Sequence, residues 1–91
     1  MYNNILSDKD AKAVMHILVE QLGVQEDQIT LDARLTEDLG ADSLTKVEVT
    51  LALEERFNLS IPDERAESVS TVRDVFELLA ELLGGSALRA A

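Results

Sequence analysis

The sequence predicts an all-α fold: a small four-helix bundle of three main helices and one short one, with a long loop between helices 1 and 2. Three observations carry this. The chain has 91 residues, enough for one small domain. Aromatics make up 3% of it and β-branched runs are short. Its apolar residues recur at helical spacing in three places. The first is expected from about Asp8 to Leu22, with Ser7 or Asp8 as cap, Val14, Ile17, Leu18 and Leu22 on one face, and Gly23 as the stop. A loop from Val24 to Ala41 follows, pinned to the core by Val24, Ile29, Leu35 and Leu39. A connection of that length is usually functional. The second helix is expected from about Ser43 to Phe57, N-capped by Asp42. Ile61-Pro62-Asp63-Glu64-Arg65-Ala66-Glu67 reads as one short helical turn, with proline and acids suited to its start. The last helix is expected from about Thr71 to Leu83, capped by Ser70 and stopped by Gly84-Gly85. Its stripe is Val72, Val75, Phe76, Leu79, Leu82 and Leu83. Residues 1–84 form the domain, and the tail 85–91 is expected to fray.

Charge narrows the function. The chain carries 18 Asp and Glu against 8 Lys and Arg, a formal net charge of −10. A phosphate backbone or an anionic membrane surface would repel it, so no nucleic acid partner is expected. The hydrophobic fraction of 46% argues against disorder. The absence of cysteine excludes disulfides, thiolate metal sites and a cysteine nucleophile, and fits a reducing cytoplasm. No signal peptide is visible and no membrane span is expected, since the most apolar stretch, Val75 to Leu83, is short and broken by Glu77 and Glu81.

Most routes to chemistry close. His16 is the only histidine and builds no zinc site. A calcium loop with Gly40 or Gly23 at its sixth position would put Leu35 or Leu18 at its first, so no metal site is expected. Ser43 lacks the flanking glycines of a nucleophile elbow, and its only possible histidine base lies upstream on another helix. The chain is therefore not expected to be an enzyme. Ser43 does lie where the long loop becomes a helix, and free N–H groups and the positive dipole end favour a phosphate there. Read simply, Asp42 or Ser43 caps the helix.

The second helix adds to this. Its apolar residues form two stripes, Val49, Ala52, Leu53 and Phe57 on one and Leu44, Val47 and Leu51 on the other, the latter bordered by Glu48, Glu54 and Glu55. A helix that only lines a core needs one stripe. Between Glu37 and Glu67 nine acids face three bases, Lys46, Arg56 and Arg65, a local net of −6. The second stripe reads as a partner-facing surface ringed by acid.

These residues carry a resemblance. Asp38-Leu39-Gly40-Ala41-Asp42-Ser43-Leu44, then Val47-Glu48 and Ala52-Leu53-Glu54-Glu55 with Phe57, resembles the acyl carrier proteins of the free-standing type II kind. Ile61-Pro62-Asp63-Glu64 and Ala66-Glu67 resemble that family's short third helix, and Ser70 to Val75 the start of its last one. The likeness runs from about Lys12 to Leu83. It implies that Ser43 is the attachment point of 4′-phosphopantetheine, with Asp42 and Leu44 beside it. A phosphopantetheinyl transferase would supply the arm from coenzyme A, and acyl groups would ride on its thiol as thioesters for fatty-acid or related acyl-chain enzymes. The working sulfur is then not encoded. It also implies that Asp42, Leu44, Val47, Glu48, Leu51, Glu54, Glu55 and Ile61 form a docking surface for basic patches on partner enzymes. A monomeric cytoplasmic carrier is expected. Thr45-Lys46, Thr50 and Arg56 depart from the fatty-acid pattern, which leaves open a specialised carrier for a polyketide or lipid pathway. From another class, an unmodified acidic adaptor binding basic partners through helix 2 also stays open.

Overall fold

In the computed structural model, which describes residues 5–85, four helices follow in the order expected: α1 Asp8–Leu22, α2 Ser43–Phe57, α3 Asp63–Glu67 and α4 Val72–Ala80. The ends are set by local chemistry. Ser7 accepts the Asp10 N–H to cap α1, and Gly23 closes it at φ 69°, a left-handed conformation that glycine adopts without a Cβ penalty. Asp42 accepts the Thr45 N–H at 2.8 Å to start α2, and Asn58 at φ 55° ends it. Both long helices therefore begin and end where the caps lie in the sequence.

The last helix differs at both ends. Its N-cap is Thr71 rather than Ser70. Asp74 stands three residues after Thr71 and completes a capping box, accepting the N–H groups of both Ser70 and Thr71. At the other end Gly84-Gly85 do not interrupt the helical backbone, and Glu81–Gly85 form a wider π-helical turn. The widening takes Leu83 off the α-helical stripe, while Leu82 stays packed against the core. Leu82 is half-buried and Leu83 is 37% exposed, whereas Leu78, which the stripe omitted, is buried. The expected fraying of the tail falls, beyond Gly85, outside the described residues.

One core joins the helices. Val14, Leu18, Val72, Phe76 and Leu79 are its most enclosed side chains. α1 packs on α2 through Val49 and Leu53, while Ala11, Met15 and Ile17 complete its own inner face. The long loop is part of this core. Ile29, Ala33, Leu35, Leu39 and Ala41 are buried, and Val24 is half-buried. A single 3₁₀ turn, Glu26–Gln28, interrupts it. Its backbone pairs with the start of α4: Leu35 N–H donates to Ser70 C=O, Val72 N–H to Ala33 C=O, and Arg73 N–H to Leu31 C=O. These bonds satisfy polar groups that burial would otherwise orphan. The loop is thereby anchored, and it delivers Asp42 and Ser43 to a set place. No helix among the described residues is long and apolar enough to cross a membrane.

Candidate functional site

The segment before Ser43 is built as a bracket. Arg34 N–H donates to Asp38 Oδ2 at 2.8 Å, and Ala41 N–H returns to Leu35 C=O at 2.8 Å. Leu39 and Ala41 point inward and hold the bracket on the core. Gly40 lies between them at φ 76°, a conformation that a side chain would strain. Asp42 is exposed, and its carboxyl is held below the usual range, chiefly by the Thr45 backbone N–H. Ser43 follows as the first residue of α2, also exposed. A hydroxyl there faces water at the positive end of a 15-residue helix.

The two stripes of α2 separate in space. Val49 and Leu53 are buried, with Ala52 and Phe57 half-buried beside them. Leu44, Val47 and Leu51 are 66%, 53% and 58% exposed. Three large apolar side chains are thus left in water on one helix, in line with Ser43. Large apolar groups exposed together are a mark of interaction surfaces. Glu48 and Glu55 are exposed on the same helix, and among the described residues neither takes part in an ion pair within 4 Å.

Two of the residues expected on this surface have other employment. Ile61 is only 6% exposed and belongs to the core. The reason is Glu54, whose Oε2 accepts the Ile61 N–H at 2.7 Å. That bond folds the chain after α2 back on the helix and turns Ile61 inward. Glu54 is itself half-buried, so its carboxylate anchors a turn as well as bordering the surface. Asp38 likewise serves the bracket. Of the bases that interrupt the acids, Arg56 lies over the Phe57 ring, 5.4 Å from its centroid, and Arg65 bridges from α3 to Glu81. His16 pairs with Glu20 on the exposed side of α1, far from Ser43 in the sequence.

Between α2 and α3 runs an open groove of about 560 Å³ that starts at Ser43. Val47, Leu51 and Ala66 give it apolar walls, and Asp63 and Glu67 line its α3 side. Behind it lies a cavity of about 30 Å³ walled by Leu35, Val49, Leu53, Val69, Val75 and Leu79. Lys46, Thr50, Ile61 and Ala66 border both hollows. The role of Lys46 and Thr50 as this shared wall is not visible in the sequence, because it depends on where α3 docks. The Ile61-Pro62-Asp63 turn was the available sign of that docking. Among the described residues no three metal-ligating side chains come together.

Comparison with known proteins accords with this geometry. Residues 12–84 match the family described as the phosphopantetheine attachment site. The chain is 44% identical over 84 residues to an acyl carrier protein of Akkermansia muciniphila, covering 92% of this chain and all of that one. It is 52% identical over 68 residues to an acyl carrier protein of Syntrophobacter fumaroxidans, covering 75% of this chain and 84% of the relative. Among solved structures, one from Mycobacterium tuberculosis, described as a candidate acyl carrier protein, superposes with a TM-score of 0.72 at 30% identity. The match covers 77% of this chain and 93% of that one.

Proposed function

This chain belongs to the acyl carrier protein family, and we propose that Ser43 is the residue on which it carries its 4′-phosphopantetheine arm. Family membership makes the chain a carrier of acyl intermediates on such an arm. The choice of residue rests on one observation: Ser43 is an exposed hydroxyl at the first position of α2, opening directly on the groove between α2 and α3. An arm with an amide-rich, flexible chain fits a groove with both apolar and polar walls. When attached, it supplies a thiol that this cysteine-free chain does not encode.

The protein's own part is to present and shelter. The Ser43 oxygen would bond to the phosphorus that carries pantetheine in coenzyme A. The pyrophosphate bond breaks, adenosine 3′,5′-bisphosphate leaves, and the serine proton passes to a base on the transferase. Asp42, the carboxylate beside Ser43, is engaged with the Thr45 N–H, and His16 lies on α1. As for the family, a phosphopantetheinyl transferase would carry out the transfer. Leu44, Val47 and Leu51, with Asp42, Glu48 and Glu55 around them, form the surface on which the transferase and acyl-chain enzymes with basic patches dock. Opposite charge would speed the encounter, and the apolar stripe would supply the contact. The same surface is used by one partner at a time on a monomeric carrier. Its acidity and lack of cysteine support a cytoplasmic setting.

Intact mass tests the assignment. Incubation with coenzyme A, magnesium and a transferase should add one phosphopantetheine to the parent and none to Ser43→Ala. An equal gain by Ser43→Ala would move the attachment point elsewhere.

A further inference from the structure

We propose that Lys46 is the positioning residue for the arm: its ammonium pairs with the phosphodiester that modification places on Ser43 and holds the start of the arm against the α2–α3 groove. This deepens the reading of Ser43 above and rests on it. Ser43 and Lys46 are three residues apart on α2, a spacing that makes two side chains neighbours on one helix face. Both line the same groove. Lys46 is half-buried, and its stem also borders the inner cavity, so packing limits where its charge can go. The Thr50 hydroxyl donates to the Lys46 carbonyl at 2.8 Å, joining the two polar residues of that wall.

The charge around Lys46 is what calls for a partner. It sits in the segment with a net of −6, between Glu37 and Glu67. Arg34, Arg65 and Arg73 each have a carboxylate partner, and Arg56 lies over Phe57. Lys46 has no ion pair within 4 Å among the described residues, although Glu54, Asp63 and Glu67 line the same groove. A phosphodiester on Ser43 would bring a further negative charge beside Asp42, whose carboxylate the Thr45 N–H keeps ionised. The helix N-terminus offsets part of that charge, and Lys46 supplies the counter-charge on the groove side. An arm held there leaves Ser43 along the groove.

The test uses the parent, Lys46→Met, which keeps an apolar stem, and Lys46→Arg, which keeps the charge. Each is converted to the arm-bearing form without cargo, and conversion is checked by intact mass before anything else is read. Unconverted Lys46→Met should melt cooperatively. On conversion at low salt its melting temperature should fall by about 2–4 °C relative to the change in the parent. Lys46→Arg should follow the parent, and the difference should shrink at high salt. The phosphorus resonance should match in the parent and Lys46→Arg and differ in Lys46→Met. In the parent alone, the labelled Lys46 ammonium signal should shift when the arm is added. A mass gain with no change in that signal, and with the same melting and phosphorus shifts in Lys46→Met as in the parent, overturns the role of Lys46 and leaves Ser43 intact. No mass gain in the parent overturns the reading of Ser43, and this inference with it.

Discussion

Leu51 and Leu53 carry the same side chain two residues apart on one helix, yet they stand 58% and 4% exposed. Val47 and Val49 repeat the contrast at 53% and 6%. Propensity and chemistry are equal within each pair, so only the direction of the side chain differs. One face of α2 belongs to the core that α1, the loop and α4 complete. The other stays largely exposed among the described residues, bordering the open groove toward α3. The first face holds the helix in place, and the second, in line with Ser43, is exposed to solvent. A single helix thus separates a face that keeps the protein folded from an exposed face that we propose for partners.

The contrast should break most visibly in stability. Leu53→Ala removes a buried side chain and should cost about 2–5 kcal/mol. Leu51→Ala should stay within about 0.5 kcal/mol, as surface substitutions do. Denaturant unfolding of both variants checks this. Equal losses would mean that the two stripes share the core.

A smaller effect concerns the brackets that aim α2 and α4. Asp74 accepts the N–H groups of Ser70 and Thr71, at the point where the long loop pairs with the chain before α4. Its carboxyl is held below the ordinary value of 3.8, chiefly by the Ser70 N–H. The ionised form is therefore favoured in the folded state. Its contribution is complete above the unfolded value and is lost as pH falls through the lower folded one. Asp74→Asn should destabilise by about 1 kcal/mol at pH 7. It should also flatten the decline of stability as pH falls below the ordinary value of 3.8. Melting curves across that range would show it, and parallel curves for parent and variant would refute it.

The same contrast explains what the sequence could disclose. Caps and stripes are local, so Ser7, Gly23 and Asp42 bounded the two long helices, and the two faces of α2 separated at 100° per residue. The choice between Ser70 and Thr71 needed the position of Asp74 three residues beyond the true cap. Leu83 left its stripe because a π-helical turn widened the end of the helix. Ile61 read as surface because its burial depends on a hydrogen bond to Glu54, seven residues away. The groove is less local still. Lys46 and Thr50 stood out as departures from the family pattern, but their place on its wall comes from the docking of α3 against α2. The caps and faces of the two long helices were legible, whereas the ends of α4 and the features made where two segments meet were not.

On the proposed reading, α2 recognises with one face and folds with the other. The most direct measurement takes Val47→Ala and Val49→Ala together, reading the rate at which a transferase adds the arm beside the melting temperature of each. Val47→Ala should lose about fivefold or more in rate with an unchanged melting temperature. Val49→Ala should melt lower and, while folded, accept the arm at close to the parent rate. A slow Val49→Ala beside a Val47→Ala that matches the parent in rate would contradict the account.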